Sequence, residues 1–121
     1  MLQIRENKKS VGFVKKIDER IKLKYHDKTI KIKERPSTRG IIIKINDENY
    51  QFLENEVRKW PSKEKLIVIK RKYGRTYFET PKKERVMKVK RLENIIKLEF
   101  FIEPSNIIIY LIAGLQYIIR K

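Results

Sequence analysis

Arg20-Ile21-Lys22-Leu23-Lys24-Tyr25 and Thr29-Ile30-Lys31-Ile32-Lys33 alternate basic or polar with apolar side chains, and only the turn His26-Asp27-Lys28 separates them. Successive side chains of a strand point to opposite faces, so the pattern predicts a pair of strands with one apolar and one cationic face. Arg20, Lys22 and Lys24 share the cationic side, and Lys31 and Lys33 continue it on the next strand. Neighbours across such a pair lie about 5 Å apart and same-face neighbours along a strand about 7 Å apart, a lattice suited to the phosphates of a single strand. A solvated outer face of a half-buried sheet has the same local pattern, so the wider chain must decide.

The whole chain is basic. In 121 residues, 31 Lys and Arg oppose 15 Asp and Glu, for a formal charge of +16. The excess is spread along the sequence and not gathered in a tail, so it belongs to the folded surface, and a polyanion is the partner it implies. Hydrophobic residues make up 40 %, enough to build one core, and the length fits one compact domain over residues 1–121. There is no cysteine, which removes disulfides, thiol nucleophiles and Cys-ligated zinc. Met1 to Lys9 lacks the apolar run of a signal peptide, so a cytoplasmic, or virion-associated, location is expected. Abundant Lys, Glu and Ile without Cys is also a composition of hyperthermophile proteins.

Outward from the opening stretch, Val11 to Ile17 reads as a strand. Arg35 to Gly40 reads as a loop and Ile41 to Ile45 as a more buried strand. Asn46 or Asp47 can cap a helix in which Tyr50, Leu53, Val57 and Trp60 recur at helical spacing and Pro61 ends the run. Lys65 to Lys72 and Arg75 to Thr80 form a hairpin about Tyr73-Gly74, and Arg85 to Lys90 and Ile95 to Ile102 add two strands. Glu103-Pro104-Ser105-Asn106 then caps a final helix up to Ile119. The expectation is an α+β fold of antiparallel sheets with two helices, in the order ββββα-ββββα, its halves at 11–60 and 65–119.

The hairpin Lys70-Arg71-Lys72-Tyr73-Gly74-Arg75-Thr76-Tyr77-Phe78 interleaves aromatic and basic residues. Rings stack on unpaired bases while cations follow the backbone; a hairpin with a core ring and charge-protected edges is the competing reading. Lys82, Lys83, Arg85, Lys88, Lys90 and Arg91 form a further basic run. Ile107 to Ile119 is apolar all round but rises only about 20 Å as a helix, short of a bilayer core of about 30 Å. It reads as a core helix or a self-association surface, with a membrane-surface anchor as the alternative. His26 has no second histidine or cysteine beside it. The carboxylates Asp18, Glu19, Asp27, Glu34 and Glu79 are dispersed among cations, without two-metal spacing. No catalytic group, metal or cofactor is expected.

The duplicated order of four strands and a helix, with the passage Gly40-Ile41-Ile42-Ile43-Lys44-Ile45-Asn46-Asp47-Glu48-Asn49-Tyr50, resembles the Whirly-type and transcriptional-coactivator-type single-stranded DNA-binding fold over residues 11–119. The resemblance implies curved sheets that present basic and aromatic side chains to unpaired strands, with Lys22, Lys24, Lys31, Lys33, Arg71, Tyr73 and Arg75 in those roles. Together with Lys70, Lys72, Lys88 and Lys90, these are the expected nucleic-acid contacts of a non-enzymatic protein binding single-stranded DNA or RNA with low sequence specificity. A structural component of a ribonucleoprotein or virion is the alternative, and a peripheral membrane protein a more distant one.

Overall fold

The computed structural model describes residues 1–18, 20–73 and 75–118. Eleven strands follow one another: β1 (Leu2–Glu6), β2 (Lys9–Ile17), β3 (Arg20–Tyr25), β4 (Lys28–Pro36), β5 (Ile41–Ile45), β6 (Glu48–Leu53), β7 (Glu56–Trp60), β8 (Lys65–Lys72), β9 (Arg75–Glu79), β10 (Arg85–Leu92) and β11 (Ile95–Phe100). A single helix, α1 (Asn106–Ile118), ends the described chain. Each strand pairs antiparallel with the next, and β1 closes the ring by pairing parallel with β11. The parallel closure follows from the odd count, since strands that alternate in direction leave the first and the eleventh pointing the same way.

This corrects the expected α+β fold with two helices. Residues 46–60 form a turn and the strands β6 and β7, so the first ββββα half does not exist; the second keeps its order, β8 to β11 and then α1, but as part of the one closed barrel. Tyr50, Leu53, Val57 and Trp60 fit a helical period, but Tyr50 and Phe52 fit a strand period as well, and the turn decides between them. Asn46 and Asp47 both adopt positive φ, 49° and 66°, the geometry of a type I′ hairpin turn, whose twist matches that of the flanking strands. Asn7 and Lys8 repeat it at 49° and 67°, and so create β1 from residues that read as a polar start. The expected tight turn includes Gly74 and the expected helix end Ile119; both lie outside the described residues.

Alternation places one apolar side chain of every strand pair inside the ring. Ile4, Val14, Ile21, Leu23, Ile32, Ile45, Val57, Phe78, Met87 and Ile96 are all buried there and belong to one cluster. Eleven strands spaced about 4.8 Å and tilted by about 40° make a ring about 22 Å across, which leaves about 11 Å from wall to axis. That is close to the distance at which a helix packs, so a barrel of this size needs a filling. α1 supplies it. Ile109 to Gln116 are buried without interruption, and eight consecutive helical residues cover every face of a helix that turns about 100° per residue. The helix meets strands on opposite sides of the ring. A Cβ on Gly114 would press on Ile32 Cδ1 of β4, while Arg91 Nη1 of β10 donates to the Gln116 carbonyl at 3.0 Å. Arg91 thereby brings a cation to the helix C-terminus, where the macrodipole is negative. Tyr117 Oη also donates to the Val14 carbonyl of β2, at 3.0 Å. With its central turns enclosed, the apolar helix spends its hydrophobic surface on the core of its own barrel.

Candidate nucleic-acid interface

With the interior apolar, the alternate positions of each strand carry the charge outward. On β2 to β5 the register lines these positions up across strands. Lys15 faces Lys22, which faces Lys31. Arg20 faces Lys33, which faces Lys44. Lys24 lies between Phe13 and Thr29 one step along. Like charges set directly opposite each other cost folding free energy, and natural sheets normally relieve them with a carboxylate. Here the relief is nearly absent. Among the described residues, Lys15, Arg20, Lys22, Lys24, Lys31 and Lys33 form no ion pair, and Lys44 reaches only Asp47, at 4.0 Å. Lys16 does pair with Glu34, at 2.9 Å, but at positions that point toward the barrel mouth.

Three shallow grooves run over this face. One of about 480 Å³ is lined by Arg20, Lys33, Arg35, Lys44 and Asn49 together with Glu34 and Ile42. A second, of about 560 Å³, is lined by Ile17, Arg20, Lys22 and Lys31 with Asp18 and Ile21, and a third, of about 390 Å³, by Thr29, Lys31, Lys33, Lys44, Asn46 and Asp47. Ile42 is only 3 % exposed although it stands apart from the central cluster, so long basic stems cover the sheet and leave their charged ends at the surface.

A second cationic face occupies β8 to β11 and β1. Lys72 faces Arg75; Lys90 follows Val89, the partner of Thr76, and so comes beside Arg75; Lys90 faces Lys97, and Lys97 faces Arg5. These form one row across five adjacent strands, again without an ion pair among the described residues. The parallel row Lys70, Tyr77, Lys88 is different. Lys70 reaches Glu79 at 3.4 Å and Lys88 reaches Glu99 at 2.8 Å, and the Arg85 guanidinium lies 4.4 Å from the centre of the Tyr77 ring. The Lys88 ammonium holds the Glu99 carboxyl below its ordinary value, mainly through their hydrogen bond. Tyr73, at the β8–β9 tip beside this row, is 97 % exposed.

The expected contacts therefore divide. Lys22, Lys24, Lys31 and Lys33 lie on the first face, and Lys70, Lys72, Arg75, Lys88 and Lys90 with Tyr73 on the second. Arg71 faces Thr76 at an inward position near the barrel mouth, apart from both rows. Lys15, Lys44, Lys97 and Arg5 complete the rows but stand out in no local pattern. Hairpin register is the signal that finds them: the pairing of β2 with β3 sets Lys15 opposite Lys22, and a two-residue turn at 46–47 ends the strand that sets Lys44 opposite Lys33.

His26 sits in the β3–β4 turn at a φ of 56°, 3.6 Å from Glu6 and edge-on to the Tyr25 ring at 4.5 Å. Burial first, and then the neighbouring Glu6 carboxylate, push the Tyr25 phenol well above its ordinary value. Among the described residues no group of three or more His, Asp or Glu side chains is placed to hold a metal ion, and no helix is long and apolar enough to cross a membrane. Glu19 lies outside the described residues. No protein-family model, curated protein or solved structure matches the chain. The Gly40 to Tyr50 passage, on which the resemblance to the single-stranded DNA-binding superfamily drew, runs from a strand through a turn into a strand.

Proposed function

We propose that this chain is a non-enzymatic nucleic-acid-binding protein that holds the phosphate backbone on the outer surface of its barrel, with single strands the preferred form. One observation carries the reading: cations stand opposite cations across neighbouring strands, Lys15 to Lys22 to Lys31 and Arg20 to Lys33 to Lys44, and among the described residues only Asp47 reaches one of them, Lys44, at 4.0 Å. Such rows oppose folding unless a polyanion neutralises them, and a nucleic-acid backbone offers anions at regular intervals. The preference for single strands is supported by Tyr73, an almost fully exposed ring between cationic strands, where an unpaired base can stack. A lipid-embedded barrel would need the reverse arrangement, with apolar side chains outside.

The test is competition for a labelled 20-nucleotide single strand at low salt, measured by fluorescence anisotropy. The proposal expects retention of the labelled strand, with unlabelled single-stranded DNA and RNA competing better than duplex DNA. No binding at low salt would contradict it, and a duplex competing as well as a single strand would remove the preference.

A further inference from the structure

The two cationic faces are not parts of one surface. On the closed ring the first is centred on β3 and β4 and the second on β10, which lie four to five strands apart in a circle of eleven. They point in nearly opposite directions from a barrel about 22 Å across. Seams of lower charge density separate them. On one side, β6 and β7 present Asn49 and Leu53, with Gln51 buried between them, and Glu56 lies 2.7 Å from Arg58 and 3.3 Å from Lys65 of β8. On the other, Gln3 faces Phe13 across the β1–β2 register, and Arg5, the last cation of the second row, faces the uncharged Ser10. A continuous belt of charge would lead one strand around the barrel, and these seams interrupt it.

We infer that each face holds its own strand, so that one copy of the chain bridges two separate nucleic-acid segments. This rests on the nucleic-acid reading above and adds a stoichiometry and an activity to it. The faces also differ in kind. The row Lys72, Arg75, Lys90, Lys97 and Arg5 has Tyr73 at its end and suits an unpaired strand, whereas the β2–β5 face offers phosphate contacts to any backbone. A chain built in this way brings two segments side by side, and that makes it a condensing or annealing protein.

The experiment is sedimentation of the full chain with two 12-nucleotide oligothymidylates carrying different dyes, with energy transfer between the dyes read in the same samples. The expected result is a complex with the mass of one chain and two oligonucleotides, with energy transfer. Lys22→Gln/Lys31→Gln/Lys33→Gln should leave one oligonucleotide per chain and abolish transfer, and so should Arg75→Gln/Lys90→Gln/Lys97→Gln. The six-fold variant should bind none. All six side chains are outward-facing, and a circular dichroism melt confirms that each variant is folded. A wild-type complex that saturates at one oligonucleotide overturns bridging and leaves the binding reading intact. Energy transfer found only in complexes containing two chains overturns it too, because self-association would then be the bridge. A wild type that binds no oligonucleotide overturns both.

Discussion

Tyr73 separates the two components of binding most cleanly, because a ring that is 97 % exposed at a hairpin tip contributes little to the fold. Tyr73→Ala should leave the melting temperature nearly unchanged and weaken single-strand binding by about 1–3 kcal/mol, with little effect on duplex binding, whose bases are already stacked on each other. Equal losses for the two forms, measured by anisotropy, would reduce the hairpin to an electrostatic surface. A second residue tests the turn chemistry that creates the barrel. Lys8 holds a φ of 67° beside Asn7 at 49°, a conformation in which a side chain is strained and glycine is not. Lys8→Gly should therefore raise stability by about 1 kcal/mol in a denaturant titration, and a lowered midpoint would show that the turn is not formed as described. Gly12 behaves in the opposite way. A Cβ there would overlap the Lys24 carbonyl of the neighbouring strand, so Gly12→Ala should strongly destabilise the β2–β3 pairing.

Among the elements, α1 is the filling without which eleven strands enclose a void. Leu111 and Ile112 are 1 % and 0 % exposed, and Leu111→Ala or Ile112→Ala should each cost about 2–5 kcal/mol by denaturant unfolding, the range for a buried large side chain whose cavity cannot collapse. A cost below 1 kcal/mol would place the helix outside the barrel. Two ion-paired carboxyls, Glu56 and Glu99, contribute to the acid response. Glu56 and Glu99 are held below their ordinary value of 4.5, chiefly by hydrogen bonds from Arg58 and Lys88. Their contribution is thus complete above that value and is lost as pH falls through the lowered ones. The strands were legible where the pattern was strict: β3 and β4 follow from alternation alone, and β5, β8, β9, β10 and β11 from apolar runs bounded by turn residues. The segment 46–60 was not, because Tyr50, Leu53, Val57 and Trp60 fit a helical period while Tyr50 and Phe52 fit a strand period, and the φ values of Asn46 and Asp47 distinguish hairpin from helix cap. The terminal helix was legible as a buried element, but what buries it was not. Closure of the ring depends on the parallel pairing of β1 with β11, a contact between the two ends of the chain that no local window contains.

At the scale of the molecule, sequence reading found the basic strands but did not set them relative to one another, since nothing local places β3 and β10 on opposite sides of a ring. The folded barrel organises the charge excess into rows, and the central claim is that these rows exist to meet phosphates. Each contact with a single strand releases counterions and contributes about 0.7 to the slope of the logarithm of affinity against the logarithm of salt concentration. The most direct measurement compares that slope for Arg75→Gln/Lys90→Gln/Lys97→Gln, in which only the β2–β5 face is left to bind, and for the same variant carrying Lys31→Gln, each binding one single-stranded oligonucleotide from low to moderate salt. Loss of one phosphate contact should flatten the slope by about 0.7, while Lys31→Gln, which relieves the Lys22–Lys31 opposition, leaves the melting temperature the same or higher. An unchanged slope and unchanged affinity in the folded variant would contradict the account, because the β2–β5 rows would then be only a solvated face.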